Sequence, residues 1–142
     1  MALLSAQHIT QVRELFQGLR DPVKLVVFSQ SLAAAESCAR NESLVREVVA
    51  TSELISVEVL NLAIDRERAD AYGVTQVPAI VVEGSRDYGL RFYGVPTGYE
   101  FSNLIDAIIL ASTGEPSLSA ETKAALGGLA RDVEIKVFST PT

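Results

Sequence analysis

Apolar side chains in this chain recur first at helical spacing, then in unbroken runs, then in strict alternation, and each change marks a new element. Ser5 is placed to cap a helix in which Ile9, Val12, Leu15, Phe16 and Leu19 share one side, which predicts an amphipathic helix over residues 6–19 stopped by Arg20-Asp21-Pro22. Val23 to Phe28 is β-branched and apolar, the composition of a central strand. Ser29-Gln30-Ser31 leads into Leu32-Ala33-Ala34-Ala35-Glu36-Ser37-Cys38 and a helix reaching about Ala50, with Cys38 on the same side as Val45, Val48 and Val49. Ile55 to Asn61 alternates apolar and polar, as a strand with one wetter face does. Asp65 to Asp70 reads as a short solvated helix, closed by Gly73.

Pro78 opens the run Ala79-Ile80-Val81-Val82, which has the continuous apolarity of a strand covered on both faces. Proline at a strand's first position is accommodated by a cis Val77-Pro78 bond, which leaves the backbone of Val77 free to pair outside the sheet. A turn over Gly84 to Gly89 leads to the strand Leu90-Arg91-Phe92-Tyr93. Thr97-Gly98-Tyr99-Glu100 has the pattern of a capping box. The helix behind it, Tyr99 to Ser112, should bury Phe101, Leu104, Ile105, Ile108 and Ile109 before Thr113-Gly114-Glu115-Pro116 ends it.

This order predicts an α/β three-layer sandwich, with the first strands parallel and the last pair antiparallel. A further helix, Ser119 to Leu129 with Leu118, Ala125, Leu126 and Leu129 as its apolar stripe, and a strand, Glu134 to Phe138, follow. Phe16 to Phe28 and Leu126 to Phe138 share one plan: helix end, Asp, apolar strand, Phe-Ser. The expected organisation is a unit over 1–113, a linker over 114–118, and over 119–142 the helix and strand that begin a second unit, cut off at Thr142.

The segment Gly73-Val74, Val77-Pro78-Ala79, then a hairpin and Gly94-Val95-Pro96-Thr97-Gly98-Tyr99-Glu100-Phe101, resembles the thioredoxin fold. It is most similar to the glutaredoxin-like, two-unit protein disulfide oxidoreductases of prokaryotes and, more distantly, to the N-terminal domain of the alkyl hydroperoxide reductase flavoprotein subunit. The likeness runs from about Leu15 to Thr142. It implies a mixed four-stranded sheet flanked by helices, and in such proteins a Cys-x-x-Cys at the start of the helix after the first strand. Free amides at that helix end stabilise the first thiolate, and the second thiol resolves the mixed disulfide.

Matching this chain from Cys38 onward puts Ala35-Glu36-Ser37-Cys38 on the motif, so the attacking sulfur is replaced by Ala35. A gap placed elsewhere puts Ala34 and Ser37 at the two positions. A third register, Cys38-Ala39-Arg40-Asn41, makes Cys38 a monothiol nucleophile whose pKa Arg40 lowers. In relatives the backbone next to the cis proline holds a substrate peptide as an added strand, which assigns Val77 and Pro78 to substrate binding here. The residue types alone read Cys38 as a small buried apolar side chain, and His8 as a surface residue. The tyrosines Tyr72, Tyr88, Tyr93 and Tyr99 read as packing anchors with hydroxyls at the surface.

At 142 residues, 48% hydrophobic and 21% charged, the chain has length for a genuine core and is neither disordered nor membranous. No apolar run approaches the roughly 20 residues that cross a bilayer, and Met1 to Thr10 lacks a secretion signal, so cytoplasm is the default. A net charge of −6 with twelve scattered basic residues argues against nucleic-acid and anionic-membrane partners. One cysteine excludes an internal disulfide, and one cysteine with one histidine leaves no zinc site. No cofactor is implied. The expectation is a unit degenerate at its redox motif, structural or docking in role within a thiol-disulfide redox protein, with protein or peptide thiols and disulfides as partners. The alternative is a monothiol disulfide oxidoreductase using Cys38. The strand Val133 to Phe138 is a candidate edge for pairing with a second copy.

Overall fold

The computed structural model describes residues 2–32 and 34–140. Ala33, in the expected approach to the second helix, and Pro141 and Thr142 lie outside the described residues. In chain order the elements are α1 (Ala6–Phe16), β1 (Val23–Ser29), α2 (Ala35–Val49), β2 (Ile55–Asn61), α3 (Arg66–Tyr72), β3 (Ala79–Glu83), β4 (Asp87–Tyr93), α4 (Tyr99–Thr113) and α5 (Ala120–Gly127).

The strands form one mixed sheet in the order β2-β1-β3-β4. β1 runs parallel to β2, from Val23 opposite Ile55 to Ser29 opposite Asn61, and antiparallel to β3, with Phe28 opposite Ala79. β3 and β4 form an antiparallel hairpin with a register shift at Val82/Glu83. Alternation along the strands separates two cores. Leu25, Val27, Ile80 and Val82 face Val12 and Phe16 of α1, Leu44, Val45 and Val48 of α2, and Leu104, Ile105 and Ile108 of α4. Val26, Phe28, Ala79 and Val81 face Ala69 of α3 and Val74. The result is the expected three-layer α/β sandwich, and the run Ala79 to Val82 is buried throughout.

Several ends differ from the expectation, each for a local reason. α1 stops at Phe16, because Gln17, Gly18 and Leu19 bond back only three residues and tighten the chain toward β1. Leu15 is 55% exposed, the buried stripe being no wider than Val12 and Phe16. β4 begins at Asp87, so the turn narrows to Gly84-Ser85-Arg86, closed by the Gly84 amide on the Arg86 carbonyl. At α4 the capping box does not form. The chain enters through Gly98 at φ 61, and the Thr97 and Gly98 carbonyls, not the Thr97 hydroxyl, accept from Glu100 and Phe101. α5 is capped by Ser119 but buries no residue, and Leu118, Leu126 and Leu129 are exposed. The predicted strand Glu134 to Phe138 is absent; residues 129–140 are irregular, and Phe138 is 91% exposed. A strand exists only through a partner's hydrogen bonds, and no other strand lies beside this segment among the described residues.

Two distant clips close the unit. The Ser112 hydroxyl accepts from the amides of Arg20 and Asp21 and donates to the Asp21 carbonyl at 2.7 Å. The Glu47 carboxylate takes the amides of Leu3 and Leu4 at 2.7 and 2.8 Å, binding the N-terminal arm to α2.

Candidate functional site

The strand directions gather the C-terminal ends of β1, β2 and β4 and the start of β3 at one end of the sheet. α2 begins there. Its N-cap, Ala34, sits in the left-handed region at φ 53, and Ala35 is the first helical residue. Such a φ is uncommon for alanine and marks a backbone held by its surroundings. Cys38 lies one turn inside the helix, its amide bonded to the Ala34 carbonyl at 2.8 Å, and the residue, a free cysteine, is 2% exposed. Ala35 and Ala39, by contrast, are exposed and line an open groove of about 480 Å³ with Ser29, Ser31, Asn61 and Asp65. Helix phase therefore turns Cys38 away from the groove that the outer side of α2 borders.

At the start of β3 the Val77–Pro78 peptide is cis, and the Pro78 carbonyl accepts from Gly94 at 2.9 Å, tying the β4–α4 loop to the proline. Val77 makes no backbone hydrogen bond among the described residues. The approach to it is held from α3. Gly73 closes that helix at φ 67, the Val74 amide bonds the Ala69 carbonyl, and Val74 is buried.

Tyr72, the last residue of α3, anchors that helix end to the sheet. Its hydroxyl donates to Glu83 at 2.6 Å, its carbonyl accepts from Arg91, and its ring meets Phe28 edge-on at 6.1 Å. The Arg68 and Arg91 guanidiniums lie over the same ring at 5.9 and 5.5 Å. Burial, together with the bond to Glu83, raises the Tyr72 phenol above its ordinary pKa. Burial alone would lower the Lys24 ammonium, but Glu83 and Glu58 on either side outweigh it and raise its pKa. Arg68 bonds Glu58 through two nitrogens and lowers that carboxyl, and Arg91 does the same to Asp87. These charges fill the part of the face that seven-residue α3 is too short to cover.

Of the tyrosines, Tyr72 and Tyr88 pack against the cores as expected, although the Tyr72 hydroxyl is held on Glu83 and not left at the surface. Tyr93, 42% exposed, lies outside both cores, and Tyr99 is 87% exposed and anchors nothing. His8 is exposed. Asn41, to which the sequence assigned no role of its own, is fully buried with no partner for either amide atom. Its spacing of three residues from Cys38 is the signal that places it on the inward face.

No protein-family profile matches the chain, and no curated protein does. Solved structures do. The alkylhydroperoxide reductase AhpF of Enterococcus faecalis is 21% identical with a TM-score of 0.76, over 89% of this chain and 61% of that one. The NTD_N/C domain of the same reductase matches at 21% identity and TM-score 0.73, over 85% and 58%. A protein disulfide oxidoreductase from Aeropyrum pernix K1 matches at 25% identity and TM-score 0.74, over 88% and 55%. The chain thus spans less than two thirds of each of these proteins. It is a thioredoxin-fold domain, similar to thiol oxidoreductases. In this thioredoxin-fold domain the sheet end carrying the start of α2 and the cis proline is the candidate site, and Ala35-Glu36-Ser37 opens α2 ahead of Cys38. Among the described residues no helix is long and apolar enough to cross a membrane, and no three His, Cys, Asp or Glu side chains gather to hold a metal.

Proposed function

We propose that this thioredoxin-fold domain is a non-catalytic docking or structural unit of a thiol-disulfide redox protein, working in the cytoplasm. One observation carries the reading: Ala35 opens the helix where exchange needs an attacking sulfur, while the sole cysteine lies a turn deeper and buried. A thiolate gains most from the unpaired amides of the first turn, and the Cys38 amide is already bonded within the helix. What remains is recognition. An extended peptide bearing a thiol or disulfide pairs with the open backbone at Val77 beside Pro78, as a strand added to a sheet does.

Residues 119–142 are read as the beginning of a second unit, joined by a linker over 114–118. The exposed Leu126, Leu129, Val133, Ile135, Val137 and Phe138 are the side chains such a unit would bury, and the three solved proteins are longer than this chain. Pairing of the Val133 to Phe138 segment between copies is the competing use of the same apolar residues.

The test is reduction of a protein disulfide with glutathione as electron source. The expected result is no acceleration over the uncatalysed rate, by the parent or by Cys38→Ser. Acceleration by the parent that Cys38→Ser abolishes would overturn the reading and make the chain a monothiol oxidoreductase. Docking is read separately, as amide shifts at Val77 and Ala79 when an extended cysteine-containing peptide is added; their absence would remove the recognition role.

A further inference from the structure

A second cavity, of about 290 Å³, lies between the N-terminal arm, α2 and the start of α4. Its floor is apolar, with Leu4 and Leu44 buried and Phe101 half-buried. Arg40 and His8 stand exposed at its mouth, and neither makes an ion pair among the described residues. The acids able to neutralise them are otherwise placed. Glu47 uses both oxygens on the amides of the arm, and Glu36 lies one turn before Arg40 on α2 without bonding it. Glu100 borders an adjoining hollow across Thr97 and Gly98, and Asp106 shares a neighbouring hollow with His8 without an ion pair to it.

In a chain of net charge −6, an uncommitted guanidinium beside an apolar hollow selects an anion that is itself partly apolar. The planar fork of arginine matches a carboxylate through two parallel hydrogen bonds, and the imidazole supplies a third donor. A few convergent polar groups over an apolar floor are the usual composition of a small-molecule site. The cavity is roughly twice the size, on the order of 150 Å³, that admits benzene, so a ring with a short chain fits.

We propose that this cavity binds a small carboxylate bearing an aromatic or alkyl tail. The tail rests on Leu4, Leu44 and Phe101, and the carboxylate is held by Arg40 with His8. The site is separate from the strand-end groove and involves no chemistry at Cys38.

Titration of 3-phenylpropionate into the isotopically labelled chain, with 3-phenylpropan-1-ol as its uncharged twin, tests this. Amide shifts are expected at Leu3, Leu4, Leu44 and Phe101, and the alcohol should bind about tenfold more weakly, the worth of a charge-assisted hydrogen-bonded pair. Arg40→Met, at an exposed position whose fold the same spectrum checks, should weaken the acid about tenfold and leave the alcohol unchanged. Equal affinity for acid and alcohol, insensitivity to Arg40→Met, shifts confined to the groove at Ser29 and Asp65, or no binding by about 10 mM would each overturn the proposal.

Discussion

One hydroxyl, that of Ser112, joins the last turn of α4 to the loop before β1, and three backbone groups depend on it. Ser112→Ala leaves those groups without a partner, and the expected loss is about 1–3 kcal/mol, read as a lowered urea midpoint at unchanged slope. Asn41 is the opposite case, because its amide is already without partners. Asn41→Leu, which keeps the branching and removes the polar atoms, should raise stability by about 1 kcal/mol. A loss of that size in thermal unfolding would instead reveal a buried water on the amide. Arg91 holds the Asp87 carboxyl below its ordinary range, so the stabilisation from that pair is present above the unfolded-state pKa, near 3.9, and disappears as pH falls through the lower folded value. Asp87→Asn should therefore be less stable than the parent at about pH 6, and the gap should narrow as pH falls below about 3.9. None of these three residues announced its role in the sequence. Ser112 meets a partner 91 residues away, and a helical period places Asn41 inward without saying what it meets.

Elements were far more legible than their ends. The unbroken run Ala79 to Val82 and the helical spacing around Val45 and Val48 encode burial directly, and each became the element its period implied. The alternation of Ile55 to Asn61 became a strand, although Val59 is 37% exposed and Leu60 packs against the second core. Ends depend on capping and on neighbours. Gly98 took the cap from Thr97, and Val133 to Phe138, a strand by composition, found nothing to pair with. Of the candidate site, the place of the cis proline and of the helix start was legible through a family motif, whereas the inward phase of Cys38 required the helix itself. The β3–β4 hairpin carries a further prediction. A Cβ added at Gly84 would stand 2.0 Å from the Ala111 carbonyl oxygen, so Gly84→Ala must push the turn off α4. The expected cost is about 1–3 kcal/mol in chemical denaturation, the range for overpacking a close contact.

At the scale of the molecule, burial ends at Ser112 and nothing from residue 114 to 140 is more than peripheral. Removal of residues 117–142 should therefore leave the melting temperature within about 4 °C of the parent, the shift that roughly 1 kcal/mol produces in a domain of this size. A much larger fall would mean that α5 packs on the sandwich in solution. At the other terminus the molecule carries its own reporter. The amides of Leu3 and Leu4 can trade hydrogen for deuterium only while Glu47 has let go of them, so their exchange rate times the opening of the arm alone. Glu47→Gln should speed that clock while leaving the slow amides of β1 and β3 on their original schedule, dividing the fraying of one end from the unfolding of the whole.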